Sequence, residues 1–148
     1  MQIDDRYITG WCDQCWEFFN RSIGQYKRYY KYAKIGITVD YKVRAAQHER
    51  REKEYKWERM IVLYKTTSEN NANYVEGYYQ DRDDFVNKWY GWSHMSPIGE
   101  YYVYLLLGNH KYTSIEDNIC LEYHNIIYKR KDPQVILQKI YLCFASGK

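Results

Sequence analysis

The chain reads as a small α/β (α+β) domain, a mixed sheet of three or more strands flanked by helices. Three observations carry that expectation. Runs of β-forming residues at 26–38, 59–66 and 101–107 are separated by two segments that open with helix-capping chemistry, at Asp40 and at "TSENNA" (67–72). The resulting order is β-α-β-α-β, which suits a mixed sheet with helices packed on it. The length of 148 residues is enough for one compact domain with a core of its own.

The elements follow in chain order. "WCDQCWEFFNRSI" (11–23) is aromatic-rich and fits either a short helix or a strand. "YKRYYKYAKIGIT" (26–38) predicts one or two strands, punctuated at Gly36. Asp40 is the expected N-cap of a helix over about residues 41–56. On that helix Arg44 and His48 stand four apart and share a face that Ala45 leaves uncrowded. "RMIVLYKT" (59–66) predicts a buried strand. A second helix over about 72–89 carries Ala72, Val75, Tyr79, Val86 and Trp89 at helical spacing, with Glu76 beside that stripe. "YGWSHMSPIG" (90–99) is loop chemistry, "YYVYLLL" (101–107) a strand and "GNHK" a turn; the closing segment, 132–148, fits either a helix or a strand.

Composition narrows the classes. The mean hydropathy is −0.79, and no run approaches the roughly 18 apolar residues of a membrane span. The opening "MQIDDRYITG" is acidic and polar, unlike a signal peptide, so a cytoplasmic or nuclear protein with no membrane partner is expected. Nineteen tyrosines predict a core whose rings are buried while their hydroxyls stay wet. Cys12 and Cys15 form one C-x-x-C, which is half of a zinc site or simply a pair of buried thiols; Cys120 and Cys143 add no second such pair. The net charge of +3 is unevenly placed. Residues 27–59 hold eleven Lys or Arg against five acids, an excess of six in that segment. Such a basic stretch suits a phosphate backbone, or is a solvated helix face laced with ion pairs.

"KIGIT" (34–38), Arg44, His48 and Glu76, in that order, resemble the GIY-YIG nuclease superfamily, over roughly residues 24–90. Those domains set two namesake tripeptides on a hairpin, an essential Arg on the next helix and a metal-binding Glu on a later one. Ile35-Gly36 would stand for the "IG" of the second tripeptide, and with Lys34 in first place "KIGIT" looks most like the phage T5-type and restriction-type members in which Lys replaces Tyr. No GIY tripeptide stands upstream; the nearest tyrosines are Tyr26, Tyr30 and Tyr32. Residues 91–148 are then a C-terminal extension, and 101–124 either resembles the opening of a degenerate second copy, with Ser114 and Glu122 in place of its Gly and Arg, or matches it by coincidence.

The resemblance implies a metal-dependent DNA endonuclease. Arg44 would clamp the phosphate, Glu76 would hold one Mg²⁺ or Mn²⁺, and Lys34 would lie beside the nucleophile. His48 and one of Tyr26, Tyr30 or Tyr32 would handle the proton of the attacking water. Lys31, Lys42, Arg50, Arg51 and Asn87 would contact double-stranded DNA, with a homodimer as one possible assembly. The alternative is a catalytically silent domain of the same type, one that binds nucleic acid or a nucleotide phosphate or serves a virus-like genome as an interaction protein.

Overall fold

The structure, a computed structural model, describes residues 1–87 and 99–112. Trp89, most of the 90–99 loop, Cys120, Cys143, the 113–124 part of the expected second copy and the closing segment 132–148 lie outside the described residues. The described fold belongs to one compact unit, Met1–Lys111. It is a mixed α+β structure, as expected. Its elements are β1 (Gln2–Asp4), α1 (Cys12–Lys27), β2 (Tyr32–Thr38), α2 (Tyr41–Arg51), β3 (Tyr55–Lys56), β4 (Arg59–Thr66), α3 (Glu69–Gln80), β5 (Tyr101–Gly108) and β6 (His110–Lys111). Four strands make one sheet in the order β1-β4-β5-β2, while β3 and β6 form a separate ladder. β1 runs parallel to β4; β5 is antiparallel to both of its neighbours.

The ambiguous segment 11–23 is helical and longer than expected. Cys12, Cys15, Phe19 and Ile23 recur three and four apart and are the buried face of α1. The helix continues to Lys27, so Tyr26 is helical and the strand begins only at Tyr32. Asp40 caps α2 as predicted, its carboxylate accepting from the backbone N–H of Lys42 and Val43 at 3.0 Å. α2 stops at Arg51, short of 56, because the chain turns away at Glu52 into β3. β4 matches the expected strand. α3 starts earlier than predicted, with Ser68 accepting from the Asn71 N–H, and ends at Gln80. Val86 is therefore off the helix; its N–H bonds the Ala33 carbonyl instead.

The sheet is covered on both faces. Ala33, Ile35, Ile37, Val103, Leu105 and Leu107 join α1 and α3 in one core cluster. The alternate residues Tyr104 and Leu106 meet Met60, Trp57 and Ala45 of α2 in the other. By the two-residue period of a strand, Lys34 and Gly36 face α2 as well. β5, which the sequence places in an extension beyond residue 90, is an interior strand of the sheet. Among the described residues no helix is long and apolar enough to cross a membrane.

Candidate active site

The site forms where β2, β5, α2 and α3 meet. Gly36 and Tyr104 are direct partners in the β2–β5 ladder. The ring of Tyr104 lies across Gly36 so closely that a β-carbon there would sit 2.4 Å from its Oη and 2.5 Å from its Cζ. The glycine is thus a slot for the phenol, an aromatic ring covering a strand position without a side chain. The ring is buried among α2 and β4 residues, and its hydroxyl lies 3.0 Å from His48 Nε2. Burial pushes the Tyr104 phenol far above its ordinary range, although the positive charge of Arg44 pulls the other way.

His48 is held on α2 with only 12% of its side chain exposed. Burial first, then the charges of Lys34 and Arg44, bring its pKa down from 6.5 to about 4. The ring is therefore neutral at ordinary pH and has one free lone pair.

Glu76 stands on α3, on the other face of the sheet, and its charge acts on Tyr104 across the edge of β2. Its carboxylate is influenced by the backbone of Ile37 on β2. Burial raises its pKa, offset in part by that backbone and by the charges of Arg44 and Lys34. Arg44, Lys34, His48 and Glu76, expected from the sequence to act together, are thus electrostatic neighbours around Tyr104. Arg44 has a further peculiarity. Its Nε is buried and makes no hydrogen bond to any described residue.

Of the three tyrosines expected at the site, Tyr26 and Tyr30 lie on the other face of the sheet, and Tyr32 packs against the cluster that holds Tyr104. Because α1 runs on to Lys27, Tyr26 packs on the α1–α3 face, its hydroxyl 3.5 Å from Asp4 Oδ2 and its ring under the guanidinium of Arg59. Tyr30 joins that same cluster. Tyr32 stacks obliquely on Tyr55, with ring centroids 5.0 Å apart. The tyrosine that reaches His48 is Tyr104. Its only local signal is the β-rich run "YYVYLLL", which does not tell which ring faces α2.

Asn87, expected against nucleic acid, turns its amide to β2. It accepts from the Ile35 N–H at 2.9 Å and donates to the Ile35 carbonyl at 2.7 Å, closing the strand edge beside Glu76. Lys31, Lys42, Arg50 and Arg51 are exposed, with Lys31 and Lys42 lying over the rings of Tyr32 and Tyr41.

Cys12 and Cys15 are free and buried in the first turn of α1, and burial raises both thiol pKa values. Among the described residues no group of three or more His, Cys, Asp or Glu is placed to hold a metal ion. A cation at Glu76 would therefore rest on one protein carboxylate and water, a set that suits Mg²⁺ better than zinc. A separate open hollow of about 580 Å³ is lined by Tyr7, Gly10, Lys65 and Glu100. Its charged groups already satisfy each other, with Lys65 Nζ 2.7 Å from Glu100 Oε1. No family model matches the chain, and neither a curated protein nor a solved structure matches it.

Proposed function

We propose that the chain is a divalent-metal-dependent endonuclease that hydrolyses phosphodiester bonds in DNA, with Arg44, Lys34, His48, Glu76 and Tyr104 as its active centre. The observation that carries this reading is the Nε of Arg44, buried and without a described partner, on a guanidinium whose charge acts on Glu76, Tyr104 and His48. A buried donor left unpaired costs about 1–3 kcal/mol. That cost is offset when an anion arrives, and a planar guanidinium fits the paired oxygens of a phosphodiester better than it fits a point charge.

The remaining groups supply what hydrolysis needs. Glu76 fits a cation, since a carboxylate that burial disfavours as an anion gains from a divalent charge. Bound there, Mg²⁺ or Mn²⁺ supplies positive charge for the leaving oxygen. Arg44 stabilises charge on the non-bridging oxygens. Tyr104 and His48 move the proton. As water attacks phosphorus, its proton passes to the Tyr104 oxygen while the phenolic proton passes to His48 Nε2, 3.0 Å away. A seated phosphodiester cancels charge on Lys34 and Arg44, the groups that help hold the His48 pKa at about 4, so the base strengthens when substrate is bound.

The resemblance to the GIY-YIG superfamily adds to this reading. Ile35-Gly36 lies on β2, and Val103-Tyr104 on the antiparallel partner β5 supplies the tyrosine missing upstream, from the far end of the chain. Lys31, Lys42, Arg50 and Arg51 would track the backbone of a duplex. The test is nicking of supercoiled plasmid in Mg²⁺ and then Mn²⁺, for wild type and Glu76→Gln. Metal-dependent nicking that disappears in the variant supports the enzyme. Salt-dependent DNA retention without nicking assigns the site to a silent binder, and the absence of both nicking and retention refutes the nucleic-acid reading.

A further inference from the structure

The proton relay ends at Nε2 of His48, but something must hold the other ring nitrogen. Glu52 stands four residues beyond His48 and closes α2, its N–H bonding the His48 carbonyl at 3.2 Å. The chain leaves the helix there, so the side chain folds back toward the ring. Oε2 of Glu52 lies 3.9 Å from His48 Nδ1 and 3.8 Å from Lys34 Nζ. The first distance is too long for a hydrogen bond and short enough for strong electrostatic bias. The carboxylate is itself anchored: the buried Trp57 indole N–H donates to Oε2 at 3.3 Å, and the Glu54 N–H to Oε1 at 3.4 Å. Only 19% of the Glu52 side chain is exposed.

We propose that Glu52 is a positioning residue that fixes His48 in the tautomer with its proton on Nδ1, leaving Nε2 free to accept from Tyr104. An anion on the Nδ1 side favours N–H there and disfavours a lone pair facing it. The groups facing the ring are Lys34 from β2, Arg44 and Glu52 from α2 and its end, and Tyr104 from β5. Glu52 supplies the negative charge among them. It also pairs with the Lys34 ammonium, so one carboxylate touches two of the proposed groups. Its role in catalysis rests on the nuclease reading; its effect on the imidazole does not.

The experiment has two arms. Long-range proton–nitrogen NMR of ring-labelled protein reads the His48 tautomer without any substrate. Wild type is expected to show a protonated Nδ1 and an unprotonated Nε2. Glu52→Gln, which keeps the shape and loses the charge, is expected to give a mixture or the opposite tautomer, and Glu52→Asp to retain much of the wild-type pattern. In single-turnover plasmid nicking, Glu52→Gln should lose about tenfold or more in rate at saturating DNA, with little change in half-saturating DNA. A wild-type ring protonated on Nε2, or a tautomer unmoved in Glu52→Gln, overturns the proposal. Absence of nicking by wild type sinks the nuclease reading while the NMR arm still decides Glu52. Should Glu52→Gln fail to fold, Trp57→Phe removes the indole anchor and should shift the tautomer in the same direction; no shift there refutes the assignment.

Discussion

Substituting Gly36 by Ala tests how the site is built. The added β-carbon would stand 2.4 Å from Tyr104 Oη and 2.5 Å from Cζ, so the ring must move by roughly an ångström to reach van der Waals distance. Tyr104 is 4% exposed and enclosed by Ala45, Trp57, Met60 and Leu106, so it has no room to move without disturbing the core. Overpacking of this kind costs about 1–3 kcal/mol, and loss of the Tyr104–His48 hydrogen bond about 1 kcal/mol more. Loss of glycine's freedom in the unfolded chain returns about 0.4–1 kcal/mol. The net expectation is a destabilisation of about 2 kcal/mol in urea unfolding, together with loss of the His48–Tyr104 contact by NMR. Gly24 in α1 is the control. No atom lies within 4 Å of a β-carbon there, and Gly24→Ala should stabilise by about 0.5–1 kcal/mol. A Gly36→Ala protein as stable as wild type, with His48 undisturbed, would refute the packing argument.

Other outcomes follow from the same groups. His48 binds fewer protons in the folded state between its folded pKa of about 4 and its unfolded value of 6.5, so it stabilises the protein above 6.5 and this stability is lost as pH falls toward 4. At about 1.4 kcal/mol per pH unit the full effect is about 3 kcal/mol, read as the difference in urea midpoint slopes between wild type and His48→Asn across that window. Glu76 has the opposite sign: its raised pKa gives stability that is present at acid pH and lost as pH rises through the folded value. Glu76→Gln should therefore be more stable than wild type at pH 7, with the gap closing below pH 4.5, while metal-dependent cutting disappears. Arg44→Met removes a buried donor with no described partner and should raise the melting temperature of the free protein, yet lower cleavage by about 10²–10³. A drop in both would show that Arg44 is mainly structural.

Local chemistry made part of this site readable. Asp40, with its capping carboxylate, specifies the start of α2, and that start sets Arg44 and His48 one turn apart on one face. The helical spacing of Ala72, Val75 and Tyr79 likewise orients Glu76, since fixing the buried stripe fixes the residue beside it. What escaped was non-local. Tyr104 stands 56 residues from His48, and nothing within "YYVYLLL" states that this strand lies between β2 and β4 or which of its tyrosines faces α2. Tyr26 and Tyr30 are close in sequence to "KIGIT", but α1 continues to Lys27, so Tyr26 is helical and both rings pack on the other face. α1 itself was ambiguous because Trp16 and Phe18 fall between its buried positions and blur the period. Glu52 gave no signal, since its role depends on where the chain turns after α2.

The proposed function requires the Arg44 guanidinium and the Glu76 carboxylate to act on one phosphodiester. Single-turnover cleavage of an end-labelled duplex, with metal saturating, tests it through Arg44→Met, Glu76→Gln and the double variant. Groups that act as a unit are non-additive, so each single change should remove nearly all activity and the double should lose little more. Uncut DNA with the wild-type protein, or losses that simply multiply in the double variant, would contradict the account.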